Sequence, residues 1–269
     1  MNKNNSLTAI FKGMIVGGTM LVPGVSGGSM AMILGIYDKL ITSVSSFMKN
    51  KKKNFLFILL FSAGGGLGMF LFANPLLSLI ERYPMPMIYF FIGTVAGGVP
   101  LIYSQAKLKS FSFKVPLYIA VGILAVFLID MIPTGTFQSE VNAGLKGFIL
   151  LAAAGFIAAV ALVLPGISVS YLLLIMGLYD ETMRAISDLY MPFLIPLGVG
   201  LLLGILLTTK CLEKAMTKHP QSTYLIILGF VLGSMAEVFP GVAKGTELFI
   251  CILTLAAGFC IIRFLSLKC

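Results

Sequence analysis

The sequence predicts an all-α integral membrane protein with an inverted-topology repeat: each half is a Pro-Gly-broken, re-entrant helix pair followed by three transmembrane helices. Three observations predict this class. Of the 269 residues, 58% are hydrophobic and only 11% are charged, against roughly 25% charged in ordinary globular domains. Residues 13–45 and 155–187 align without a gap, ten of the 33 positions are identical, and each copy breaks at Pro-Gly-x-Ser. Basic residues, finally, gather at one end of the apolar runs.

Those runs cover 7–22, 29–47, 55–80, 86–105 and 113–132, then 146–164, 169–188, 191–210, 223–239 and 246–266. They are long enough for helices, and no alternating ten-residue pattern suggests a barrel. Beyond the first motif the repeat continues at a shift of 136, matching Gly64/Gly200, Gly68/Gly204, Pro84/Pro220, Gly93/Gly229 and Gly97/Gly233. The chain 1–269 therefore reads as one membrane domain, with repeat one at about 7–132 and repeat two at about 146–266. The first arm, 7–22, is about 24 Å long at about 1.5 Å per residue. That is short for a hydrocarbon core of roughly 30 Å, which favours a re-entrant hairpin in the first half. The longer arms of the second half leave re-entrant and spanning forms open.

In order along each half, Pro23 and Pro165 end the first arm, because proline lacks an amide hydrogen and disfavours helix at the residue before it. Gly24 and Gly166 permit the reversal. Ser26 with Ser29, and Ser168 with Ser170, are candidate N-caps for the second arms. The Gly-[Ile/Leu]-Tyr-Asp ends at 35–38 and 177–180 offer Asp38 and Asp180 as caps of a following turn, with Asp180 four residues before Arg184. Their tyrosines suit a membrane interface. The small-x-x-x-small pairs Gly64/Gly68, Gly93/Gly97, Gly200/Gly204 and Gly229/Gly233 predict faces where helices pack closely. Asn74-Pro75 predicts a kink or a helix end inside the 55–80 run.

Charge tests the topology independently. Fifteen basic residues fall on one side of the predicted spans, and only Arg82, Lys146, Arg184 and Lys244 on the other. Asp38 and Glu213 are the only acids on the basic side. By the positive-inside rule both termini are cytoplasmic. An odd number of crossings per half then turns the two hairpins in opposite directions, so the Pro-Gly-x-Ser tips approach each other near mid-membrane.

A duplicated apolar segment broken by Pro and Gly at matching places points to a transporter binding site. Helix starts expose unpaired amides and a partial positive charge, which suit a phosphate or carboxylate. The candidate substrate-binding residues are Gly24, Ser26, Gly27, Gly28, Ser29, Gly166, Ser168 and Ser170. Asp38, Asp180, Arg184 and Glu237 are candidates for coupling or gating. The second tip carries Val169 and Ser170 where the first has Gly27 and Gly28, so a closer grip is expected at 24–29.

Several function classes fall away. The net charge of +9 belongs to short loops between apolar runs, where it orients the protein and meets anionic lipid. No nucleic-acid partner is expected. There is no G-x-x-x-x-G-K-[ST] nucleotide loop, and one histidine, His219, excludes a His-rich metal centre. No cofactor is expected.

With VPGVSGGSMAMILGIYD in the first half and VLPGISVSYLLLIMGLYD in the second, the chain resembles the bacterial polyprenyl-phosphate transporter family over nearly its whole length. The resemblance implies translocation of undecaprenyl phosphate, the spent lipid carrier of cell-wall synthesis, from the outer to the cytoplasmic leaflet of the cytoplasmic membrane. It carries over to Pro23, Gly24, Ser26, Gly27, Gly28, Pro165, Gly166 and Ser168 as motif positions. Two other readings stay open: a channel or carrier for a small soluble anion, and a membrane polyprenyl-pyrophosphate phosphatase.

Overall fold

The computed structural model describes residues 3–21, 26–108, 113–131 and 144–268. The described residues are α-helical, with no strand among them. The first half comprises α1 (Lys3–Thr19), α2 (Gly27–Ile33), α3 (Tyr37–Ser45), α4 (Lys51–Arg82), α5 (Pro84–Gln105) and α6 (Lys114–Asp130). A 3-10 turn, Phe47–Asn50, joins α3 to α4. The second half follows as α7 (Gly144–Val163), α8 (Val169–Ile175), α9 (Tyr179–Ser187), α10 (Met191–Lys218), α11 (Pro220–Val238) and α12 (Thr246–Lys268). The order of long and short helices is the same twice over. Among the described residues, six helices are long and apolar enough to cross a membrane: α4, α5, α7, α10, α11 and α12.

The second arm of each tip is not the single helix that the runs 29–47 and 169–188 predict. It breaks at Gly35 and at Gly177, with φ of +64° and +74°. The cause is a helix stop of the Schellman type. The Gly35 amide donates to Met32 O and the Ile36 amide to Ala31 O, both at 2.9 Å; Gly177 donates to Leu174 O and Leu178 to Leu173 O, again at 2.9 Å. Glycine takes the left-handed position and a buried apolar residue, Ile36 or Leu178, follows it. The Gly-[Ile/Leu]-Tyr-Asp signature is therefore a bend. Ile36 and Leu178 occupy the caps of the next helices, so Asp38 and Asp180 sit inside the first turn rather than capping it. At about 1.5 Å per residue, α2 and α8 are each about 10 Å long, far short of a bilayer core.

The small-x-x-x-small pairs are helix seams. A Cβ on Gly64 or Gly68 would overlap the backbone of Ile10 or Met14, which binds α4 to α1. On Gly200 it would overlap Ala152, joining α10 to α7. Gly93 and Gly97 hold α5 against Leu255 and Phe259 of α12, while Gly229 brings α11 onto Ile119 of α6. The first two seams lie within a half and the last two run between halves. The main buried cluster draws on both halves, with Val16 and Ile33 from the first and Leu225 and Val231 from the second. Helix α4 continues through Pro75 to Arg82 without the helix end that Asn74-Pro75 allowed. The outward faces of α4, α10 and α12 present large apolar side chains such as Phe70, Leu202 and Phe249, the surface that a lipid solvent requires.

Candidate functional site

The second arm of the first repeat meets the tip of the second. An added Cβ on Gly28 would lie 3.1 Å from the Pro165 Cα and 3.3 Å from its nitrogen, so the start of α2 rests directly on the second Pro-Gly turn. That turn is itself pinned to α11. Gly166 has φ +89°, and a Cβ there would stand 2.6 Å from the Phe230 carbonyl carbon and oxygen. Pro165 and Gly166 are both buried.

Beside the junction lies a cavity of about 390 Å³. Its polar end is built from both tips: Ser26, Gly27 and Gly28 from one, Ser168 and Ser170 from the other. Its walls are apolar, with Val16 from α1, Met20 just beyond its end, Leu40, Ile41 and Val44 from α3, Ile58 and Phe61 from α4, and Ile205 from α10. Ser62 and Thr209 add two hydroxyls along the way. Among the described residues lining it there is no lysine, arginine, aspartate or glutamate. The rim includes Met20 and Leu162, 41% and 38% exposed, so the cavity reaches the outer surface of the helices through apolar side chains.

The tips differ in detail. Ser168 caps α8, its Oγ accepting from the Tyr171 amide at 3.3 Å. Ser26 occupies the matching cap position before α2 with extended backbone, but its hydroxyl makes no cap bond. That hydroxyl is left for the cavity. Because the first intrahelical bond of α2 runs from the Met30 amide to Ser26 O, the amides of Gly27, Gly28 and Ser29 have no acceptor within the helix. Ser29 and Ser170 are not caps; they lie within α2 and α8. Ser29 faces away from the main cavity, into a chamber of about 10 Å³ shared with Ser26 and Ser234. Its hydroxyl is buried without a hydrogen-bond partner. Gly166 supports the turn rather than lining the cavity. Gly24, like Pro23, lies outside the described residues.

The candidate coupling residues stand apart from the cavity. Asp38 is exposed on α3, and both its carboxylate oxygens accept from the Tyr224 hydroxyl at 3.0 Å, tying α3 to α11. Asp180 and Arg184 are exposed on α9 and, among the described residues, form no ion pair with each other. The nine-residue helix leaves both side chains in the open, where the i+4 spacing does not hold them. Glu237 is exposed in the last turn of α11.

Sequence reasoning missed Tyr37. Instead of standing at an interface it is 3% exposed, lines the cavity, and donates from its hydroxyl to Val163 O at 2.6 Å. That carbonyl ends α7, two residues before Pro165, so α3 of one half secures the tip of the other. The aromatic residue after a helix-stopping glycine was the available signal, since its direction follows from the bend.

The comparisons with known proteins fall on the same features. The family described as undecaprenyl phosphate translocase-like matches residues 16–249, a range holding both tips and the cavity walls. The chain belongs to this family. A Staphylococcus aureus relative named polyprenyl-phosphate transporter is 32% identical over 265 residues, covering 93% of this chain and 92% of its own length. A Vibrio cholerae serotype O1 relative of the same name is 28% identical over 250 residues, covering 88% of this chain and 78% of its own. No solved structure matches the chain. Within the matched range the cavity combines a neutral hydrogen-bonding end with an apolar wall.

Proposed function

We propose that this chain transports a polyprenyl phosphate, with undecaprenyl phosphate as substrate, from the outer to the cytoplasmic leaflet of the bacterial cytoplasmic membrane, which returns the lipid carrier for cell-envelope synthesis. The observation that carries the reading is the cavity, polar where both tips meet and apolar elsewhere. Moving a phosphate through hydrocarbon is costly because its charge loses hydration, whereas the prenyl chain is at home in lipid. The Ser26 and Ser168 hydroxyls and the free amides of the tips would receive the head group. The walls from α1, α3 and α4 would receive the first isoprene units, with the remaining chain leaving across the apolar rim.

The duplicated helix order and the reciprocal seams support an inverted repeat in which repeat one (7–132) and repeat two (146–266) face opposite ways, both termini being cytoplasmic. In this arrangement the two halves present the tip region to each leaflet in turn. An apolar wall of this extent serves a lipid tail and has no use in a carrier for a small soluble anion.

Transport is testable in proteoliposomes containing labelled polyprenyl phosphate, read by the fraction accessible to an external phosphatase. Ser26→Ala and Ser168→Ala are each expected to weaken head-group binding about fivefold, the worth of roughly 1 kcal/mol per hydrogen bond, with insertion intact. Movement of inorganic phosphate without movement of the lipid would contradict the proposal.

A further inference from the structure

A second cavity lies on the other side of α1. It measures about 320 Å³ and runs along Leu7, Phe11, Lys12 and Ile15 of α1, closed by Leu34 at the end of α2 and by Leu265 of α12. It is almost wholly apolar and open to the surface, with Leu7 and Phe11 more than half exposed. Its one cationic side chain is Lys12. The Lys12 Nζ donates to Leu34 O at 2.6 Å, and among the described residues this carbonyl is its only partner. An ammonium carries three donors, so two protons remain free beside an apolar groove.

Two further lysines stand close. The Lys39 Nζ lies 4.2 Å over the Phe57 ring, and Lys53 is one helical turn before Phe57 on α4. Burial, then the charges of Lys53 and Lys12, hold the Lys39 ammonium below its ordinary lysine value. No described carboxylate pairs with any of the three. Three positive charges without a paired carboxylate therefore lie near one another, Lys12 at the bend between α2 and α3, and the apolar groove ends on that lysine.

We propose that the groove between α1 and α12 binds an anionic phospholipid of the surrounding bilayer, an acyl chain lying along Leu7, Phe11, Ile15 and Leu265 and the phosphate on Lys12. The occupant is a charged lipid because the groove alone would accept any chain, while the lysines attract net negative charge and repel the ammonium of a zwitterionic head. The site differs from the transport cavity in its ligands, which are cationic there and neutral at the tips. It also touches the tip indirectly. Lys12 holds the carbonyl that ends α2, so a phosphate on that ammonium steadies the helix whose start is Gly27 and Gly28.

The test is native mass spectrometry of the full chain, titrated with phosphatidylglycerol, with phosphatidylethanolamine, and with phosphatidylglycerol in the presence of excess polyprenyl phosphate. Phosphatidylglycerol is expected to bind at least fivefold more tightly than phosphatidylethanolamine and to resist displacement. Lys12→Met should lose that preference and Lys12→Arg should keep it. Leu265→Trp, which fills the groove without altering the ammonium, should weaken phosphatidylglycerol binding by a similar factor and guards against misfolding of the Lys12 variant. Unchanged binding in both Lys12→Met and Leu265→Trp would overturn the proposal. Ready displacement by polyprenyl phosphate would overturn it too, making the groove part of the substrate's route.

Discussion

Gly28→Val is expected to lower polyprenyl-phosphate transport on the order of 100-fold while the protein still folds and inserts. A Cβ at this position already falls 3.1 Å from Pro165 Cα and 3.3 Å from Pro165 N, and valine adds two methyl groups beyond it. Backbone atoms of a proline turn pinned to α11 cannot yield as a side-chain tip can. The tips must therefore separate, or the methyls must enter the polar end of the cavity. Overpacking of this kind costs about 1–3 kcal/mol, which at 1.4 kcal/mol per factor of ten spans roughly 5- to 150-fold in head-group affinity. Gly27→Ala supplies the contrast. Its Cβ meets the Met20 Sδ at 2.7 Å, the end of a flexible side chain that can turn aside, so only a small loss is expected. The proteoliposome assay reads both variants. Equal effects from the two would mean that contact between the tips does not matter.

Gly166→Ala should produce a large loss of stability for a single added methyl. Two independent costs act at this residue. The positive φ of +89° is one that an L side chain adopts only with strain, about 1–2 kcal/mol. The new methyl would also stand 2.6 Å from the carbonyl of Phe230 and 2.8 Å from the Val231 nitrogen, forcing α11 away from the turn at about 1–3 kcal/mol more. A combined cost of about 2–5 kcal/mol corresponds to a fall in Tm of roughly 5–15 °C for a chain of this size, measured by thermal unfolding in detergent. Gly198→Ala is the control. Nothing lies within 4 Å of its Cβ and it is inside α10, so alanine there should be neutral or slightly stabilising.

Much of this fold was legible in the residues because the membrane leaves few choices. Composition gave the helical class, and the glycine pairs marked four seams at which a Cβ meets the neighbouring helix. The duplicated Pro-Gly-x-Ser located both tips, and the structure sets them together at Gly28 and Pro165. What stayed hidden depended on direction. Hydropathy cannot distinguish one long apolar arm from two short helices, so the stop at Gly35 and Gly177 was lost inside continuous apolar runs, although Gly-[Ile/Leu] is the sequence of a Schellman cap. Without that bend Tyr37 reads as an interface residue rather than one under the opposite tip, and Asp38 and Asp180 read as caps where Ile36 and Leu178 stand. Spacing alone groups Ser29 with Ser26, yet Ser29 lies inside α2 and lines only the smaller chamber, whereas Ser26 lines both. Lys12 carries no motif, and its groove forms only where Leu34 and Leu265 close against α1.

The central claim is that the head group rests between the two tips with its chain against the apolar wall. A cryo-electron microscopy structure of the protein with bound polyprenyl phosphate tests this most directly. The account predicts phosphate density within hydrogen-bonding distance of the Ser26 and Ser168 hydroxyls and prenyl density running past Leu40, Ile41 and Phe61 toward Met20. Phosphate density on Lys12 in the outer groove, with the space between the tips empty, would contradict it.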